Sequence, residues 1–196
     1  MMRCDKVIDL RKYVSFNNSR IFFIDTNVLY WYTYPRFSQP GQLTTNGKIY
    51  YNFIDQLTAA GNPLVTSMYN LTELLNVIEK NEYDIYCDLH PDIPISKKDF
   101  RKMPNERKSV ENLMKTTLNN VNEICNIIDF NFSSNTIYNF VNELCDHRCD
   151  IFDYAILKNC IKAQYLNIIS DDGDFFTMEK INLYTANETT LNLSSK

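Results

Sequence analysis

The stretch "IFFIDTNVLYWY", residues 21–32, runs β-branched and aromatic for four residues, sets a single carboxylate at Asp25, and then turns apolar and aromatic again. Its opening run has strand length, and Asp25-Thr26-Asn27 are turn and cap residues, so the stretch predicts a buried strand over 21–24 that ends at Asp25. An unpaired carboxylate at the tip of a buried strand is costly to charge and tends to hold a proton instead. Asp25 therefore either caps the next helix or is there for chemistry.

Working outward, "GKIYYNFIDQLTAAGN" has apolar residues at helical spacing (Ile49, Phe53, Ile54, Leu57, Ala60) closed by Gly61-Asn62, and "PLVTS" follows as a second strand. "SMYNLTELLNVIEK" returns to helical spacing with Ser67 as its N-cap and Glu73 on the helix. Residues 81–104 have no sustained period and hold three prolines, which predicts an irregular insertion leading into a polar helix over 105–128. "SSNTIYNFVNELCDHR" and "DIFDYAILKNCIKAQ" read as helices, and "LNIIS" and "INLYT" as strands, the former running into the acidic group "DDGDF". Strands separated by helices predict an α/β fold, a parallel sheet with helices on both faces, because parallel neighbours need a crossover. Ligands gather at the carboxyl ends of such strands, and two of those ends carry acids: Asp25, and the group Asp171-Asp172-Gly173-Asp174.

At 196 residues, 44% hydrophobic, the chain is expected to form a single domain, 1–196, with an N-terminal extension over 1–20 and an insertion over 81–130. No repeat or linker-like tract divides it. Charges interrupt the N-terminus every few residues and no apolar run reaches bilayer length, so the expectation is a soluble, cytoplasmic protein without a membrane partner. In that setting the six cysteines are expected to be reduced thiols. A net charge of −4 argues against bulk coating of nucleic acid but not against a nuclease whose acids hold metal.

Four stretches taken together resemble the PIN-domain nucleases, the family of the VapC-type toxins: "IDTNVL", "VTSMYNLTELL", "DIFDYAIL" and "IISDDGDF". Each is weak alone, and the similarity lies in the ordered set, from about Ile21 to Tyr184. The resemblance puts the family's first acid on Asp25, its helix-borne glutamate on Glu73, its third acid on Asp153 and its fourth on Asp172, with Ser170 in place of a threonine and Asp174 as a nearby secondary acid. It implies a PIN-like fold and metal-dependent endoribonuclease activity. It also implies RNA, single-stranded or looped, as substrate, and brings in an antitoxin protein and a second copy of the chain as partners. Asp150 and Asp171 are spares that could assist their neighbours, and Thr26 or Asn27 is expected to support Asp25 or meet a phosphate. The length of 81–130 departs from a minimal member of the family.

Independently of family, converging carboxylates repel one another and take up protons unless a cation neutralises them. Oxygen-only ligands favour Mg²⁺ or Mn²⁺ over zinc, and such ions polarise a phosphodiester and acidify a bound water. Taken singly, Asp25 reads as a cap, Glu73 as a solvated residue, Asp153 as a first-turn acid and "DDGD" as a turn. Two rival readings remain: a non-catalytic PIN-like scaffold that binds RNA or protein, and a haloacid dehalogenase-like phosphohydrolase. The second needs an aspartate where Asn27 stands. "KKDFRKMPNERK", residues 97–108, holds six basic residues against two acidic ones, so Lys97, Lys98, Arg101 and Lys102 are either solvated or RNA contacts. "YWYTY", residues 30–34, either stacks on bases or packs inward. "CDHRC", residues 145–149, has the wrong spacing for a zinc site.

Overall fold

The computed structural model describes residues 3–12, 19–38, 42–130, 133–144 and 147–195. In chain order the strands are β1 (Lys6–Asp9), β2 (Phe22–Ile24), β3 (Leu64–Ser67), β4 (Asn126–Ile128), β5 (Asn167–Ile169) and β6 (Asn182–Thr185). The helices are α1 (Thr26–Thr33), α2 (Thr45–Ala59), α3 (Met68–Leu89), α4 (Lys97–Phe100), α5 (Pro104–Ile124), α6 (Ser134–Glu143), α7 (Ile151–Lys162) and α8 (Glu188–Ser194). The strands form one six-stranded sheet in the order β1-β6-β5-β2-β3-β4, every pair parallel.

Alternation along β2 explains its unbroken apolar run. Phe22 and Ile24 enter a core with α1, α2, α3 and α5, while Phe23 enters a second core with α6 and α7, so the strand is buried on both faces. From β2 the chain lays β3 and β4 to one side and later returns to place β5 and β6 on the other. The order therefore reverses between β2 and β5, and a crevice opens at their carboxyl ends, where Asp25 and Ser170 follow the strands. Among the described residues no helix is long and apolar enough to cross a membrane.

Three segments differ from the sequence expectation. Within the supposed N-terminal extension, Lys6–Asp9 forms edge strand β1, paired with β6. The supposed irregular stretch 81–104 begins with nine more residues of helix, because α3 runs on to Leu89. Around this junction its inward positions are Glu79 and Glu82, buried carboxylates held by Arg36, Lys97, Arg101 and Arg107. An apolar periodicity cannot register a face built from ion pairs. Finally, α5 stops at Ile124, and Asn126–Ile128 forms β4 beside β3. A three-residue strand is too short to separate from a helix end by pattern.

Candidate active site

Asp25 leaves β2 with extended backbone (φ −80°, ψ 161°) and caps α1. Its carboxylate is only 5% exposed and accepts four hydrogen bonds. Oδ1 receives the Thr26 N–H (2.8 Å) and the Asn70 side-chain amide (3.1 Å). Oδ2 receives the Ser170 hydroxyl (2.6 Å) and the Asn27 side-chain amide (2.9 Å). Burial pushes Asp25 up to about 7; the bonds from Ser170 and Thr26 pull the other way, and Glu73 and Asp172 add repulsion.

Helix α3 contributes a polar stripe at a spacing of three. Ser67 caps the helix by accepting from the Asn70 N–H (3.2 Å). Asn70, fully buried, gives its amide to Asp25 and to Thr26 Oγ1 (3.0 Å), and the Thr26 hydroxyl donates to Glu73 Oε2 (2.6 Å). Asn70 was invisible to motif reading, although Ser67, Asn70 and Glu73 share one helix face by spacing alone.

At α7, Asp150 is the cap: its Oδ1 accepts from the Phe152 and Asp153 N–H groups (2.8 and 2.9 Å). Asp153 sits in the first turn, and its carboxylate accepts no hydrogen bond among the described residues. Burial, then the charges of Asp25, Asp150, Asp172 and Glu73, push it up to about 8.

After β5 the two neighbouring aspartates part company. Asp171 accepts from the Tyr50 hydroxyl (2.8 Å) and lies near the Asn46 amide (3.4 Å), and it does not line the cleft that holds the other acids. Asp172 faces them, its N–H on Ser170 Oγ (2.9 Å) and its Oδ1 receiving the Asp174 N–H (2.8 Å). Tyr50 holds this separation: its buried hydroxyl also meets the Ser170 carbonyl (3.1 Å), Thr185 Oγ1 (3.1 Å) and the Ala186 N–H (2.7 Å). No sequence signal marked it. Asp25, Glu73, Asp153 and Asp172 thus line one cleft of ≈ 290 Å³, together with Tyr30 and Trp31. Asp174 is exposed, opens a 3-10 turn and does not line that cleft.

The donor set is all oxygen, which suits a hard cation. Among the described residues no three Asp, Glu, His or Cys side chains already stand together as a ligand cage. Mg²⁺ does not need one, since it keeps most of its waters and binds through one or two carboxylates and the substrate phosphate. The uncommitted oxygens are both of Asp153 and one each of Asp172 and Glu73. Those residues fit such an ion.

The basic segment is largely committed elsewhere. Lys97 (3.3 Å), Arg101 and Arg107 (2.7 Å) converge on buried Glu79, held down at about 2 chiefly by its bond to Arg101, and Lys102 pairs with Asp99 (2.7 Å). Lys98 is exposed and makes no ion pair among the described residues. Of "YWYTY", Tyr34 is buried, with Tyr30 stacked on it (5.1 Å), and Tyr32 donates to Asp55 (2.7 Å). Cys145 lies outside the described residues; His147 Nδ1 meets the Thr177 carbonyl (3.1 Å) and Cys149 is buried.

Fold and site together define an α/β chain with an acidic cleft at the carboxyl edge of a parallel sheet. No protein-family profile and no curated protein matches the sequence. Among solved structures the chain is similar to VapBC2 from Rickettsia felis bound to a DNA fragment from their promoter, at 17% identity and a TM-score of 0.49, over 83% of this chain and 96% of that one.

Proposed function

We propose that this chain is a metal-dependent nuclease that hydrolyses single-stranded or looped RNA, with Asp25, Glu73, Asp153 and Asp172 as its acidic centre and Mg²⁺ or Mn²⁺ as its cation. The observation that carries the reading is that these four carboxylates, from four separate segments, line one cleft at the sheet's switch point. Repulsion and burial leave Asp25 and Asp153 reluctant to ionise together, the frustration that a divalent ion relieves.

Asp153, Asp172 and Glu73 would hold the ion through their uncommitted oxygens. When bound, it supplies polarisation of the phosphodiester and an acidified water. Asp25, its oxygens filled by four donors, anchors Thr26 and Asn70, and Thr26 in turn fixes the Glu73 carboxylate. Asp150 pins the α7 N-terminus so that Asp153 stays in the cleft. Asn27 bonds Asp25 and accepts from the Asp171 N–H (3.2 Å), so it is a clamp where a haloacid dehalogenase-like enzyme needs an acid. The choice of RNA, an antitoxin partner, a homodimer and a cytoplasmic address rest on the four-motif resemblance alone.

The test is cleavage of a labelled single-stranded RNA by the purified chain. Cutting is expected with Mg²⁺ or Mn²⁺ and not in EDTA. Asp153→Asn and Asp172→Asn should each lower turnover by about a hundredfold or more, the usual loss when one electrostatic element of a site is removed. Asp150→Asn and Asp171→Asn should cost far less. Full activity in EDTA would overturn the reading, and RNA binding without cutting under any metal would return the chain to a scaffold.

A further inference from the structure

A second cleft, ≈ 300 Å³, adjoins the acidic one and shares Glu73 and Asp153 with it. Its other walls include Tyr69, Thr72, Phe152 and Ile156. Phe152 is 65% exposed although it sits beside buried Tyr154 and Ala155 on α7. Its backbone N–H is held by the Asp150 cap, and its ring lines the cleft wall rather than the core. A lone exposed Phe says little. This one stands next to Asp153 and lines only the second cleft, whereas Trp31, the chain's one tryptophan, half-buried and stacked on Tyr50 at 5.4 Å, lines only the acidic one, the two clefts meeting at Glu73 and Asp153.

Neither cleft is lined by Lys or Arg among the described residues. A nucleic acid entering here gains little from pairing its phosphates with protein cations, so the bases themselves have to supply affinity. Unpaired bases do so by stacking on aromatic faces, which a duplex cannot offer.

We infer that the second cleft is a nucleotide subsite continuous with the acidic centre, in which Phe152 stacks on an unpaired base of single-stranded RNA while Trp31 meets a base on the other side of the acids. The inference rests on the nuclease reading above and adds its substrate geometry: a strand crossing the acids with a ring on each side.

The test reads binding and turnover separately. A single-stranded octaribonucleotide is titrated against the full chain in Ca²⁺, following Trp31 fluorescence, and is cut in Mg²⁺ for KM and kcat. Phe152→Ala should raise Kd and KM by roughly tenfold or more, the fold-change that one base–ring stack is worth, with kcat little altered. Phe152→Tyr, which keeps the ring, should restore both, and a blunt duplex of the same length should quench Trp31 weakly. If the wild-type chain neither binds nor cuts the octamer, the nuclease reading falls and this inference with it. If it binds and cuts but Phe152→Ala behaves identically, this inference alone falls.

Discussion

Asp25 and Asp153 are both pushed toward neutrality, yet they are held in opposite ways. Asp25 has a donor for every lone pair, and an asparagine there would turn its NH₂ either onto the Thr26 N–H and the Asn70 amide or onto the Asn27 amide and the Ser170 hydroxyl, setting at least one donor against a donor. Asp153 accepts no hydrogen bond among the described residues, so an asparagine removes its charge and breaks none of them. Without metal at pH 8, Asp153→Asn should therefore raise the melting temperature by about 2–5 °C. Asp25→Asn should lower stability by about 1–3 kcal/mol for the donors left facing donors. Thermal melts in EDTA distinguish the two, and equal shifts would mean that the four bonds to Asp25 do not matter. At this scale the acids were legible because their motifs follow a recognisable order, Asp25 and Asp172 after strands, Asp153 at a helix start and Glu73 one turn further into α3. Asn70 and Tyr50 were not, since an asparagine on a helix and a tyrosine in an aromatic stripe have no local mark, and their role exists only once β2, α2, α3 and β5 meet.

Helix α3 shows what pattern reading misses in an element. Its first turns bury Leu71, Leu74 and Ile78, as the spacing predicts, and then its inward face changes chemistry to Glu79 and Glu82. Glu79 ties α4 and α5 to α3 through Lys97, Arg101 and Arg107. Glu79→Gln removes one buried charge and leaves three cations facing one another, so a loss of about 1–3 kcal/mol at pH 7 is expected, measured by urea unfolding. A fully retained midpoint would show that these pairs are ordinary surface contacts. The same geometry redirects the RNA question within 97–108. Lys97→Ala should lower stability, whereas Lys98→Ala should leave stability alone and, if the segment meets RNA, flatten the salt dependence of binding by about 0.7. The central strands were readable from their apolar runs, while the edge strands β1 and β4 were not, being short and partly exposed, with β4 following directly on the end of α5.

At the level of the whole molecule, two sets of carboxylates pull the pH dependence of stability in opposite directions. Glu79, held at about 2, and Glu82, also lowered by its bonds to Arg36 and Tyr34, bind protons less readily folded than unfolded. Their contribution is present above the ordinary glutamate value of 4.5 and is lost as pH falls toward 2. Asp25 and Asp153, raised from 3.8 to about 7 and about 8, bind protons more readily when folded. Across that interval the unfolded chain is the one with fewer protons, so metal-free stability declines as pH rises from about 4 to about 8 and then levels off. The chain in EDTA should accordingly melt at a higher temperature at pH 5 than at pH 8. A divalent cation bound as proposed would compete for the same carboxylates, and because it would bind their ionised forms it would stabilise the folded state more where protons have left. Melts at pH 5, 6.5 and 8, each with EDTA or saturating Mg²⁺, should show a metal-induced rise that grows with pH and shrinks in Asp153→Asn. A rise of the same size at every pH would place the ion away from the acidic cleft, and no rise at all would leave the four carboxylates to be balanced by protons alone.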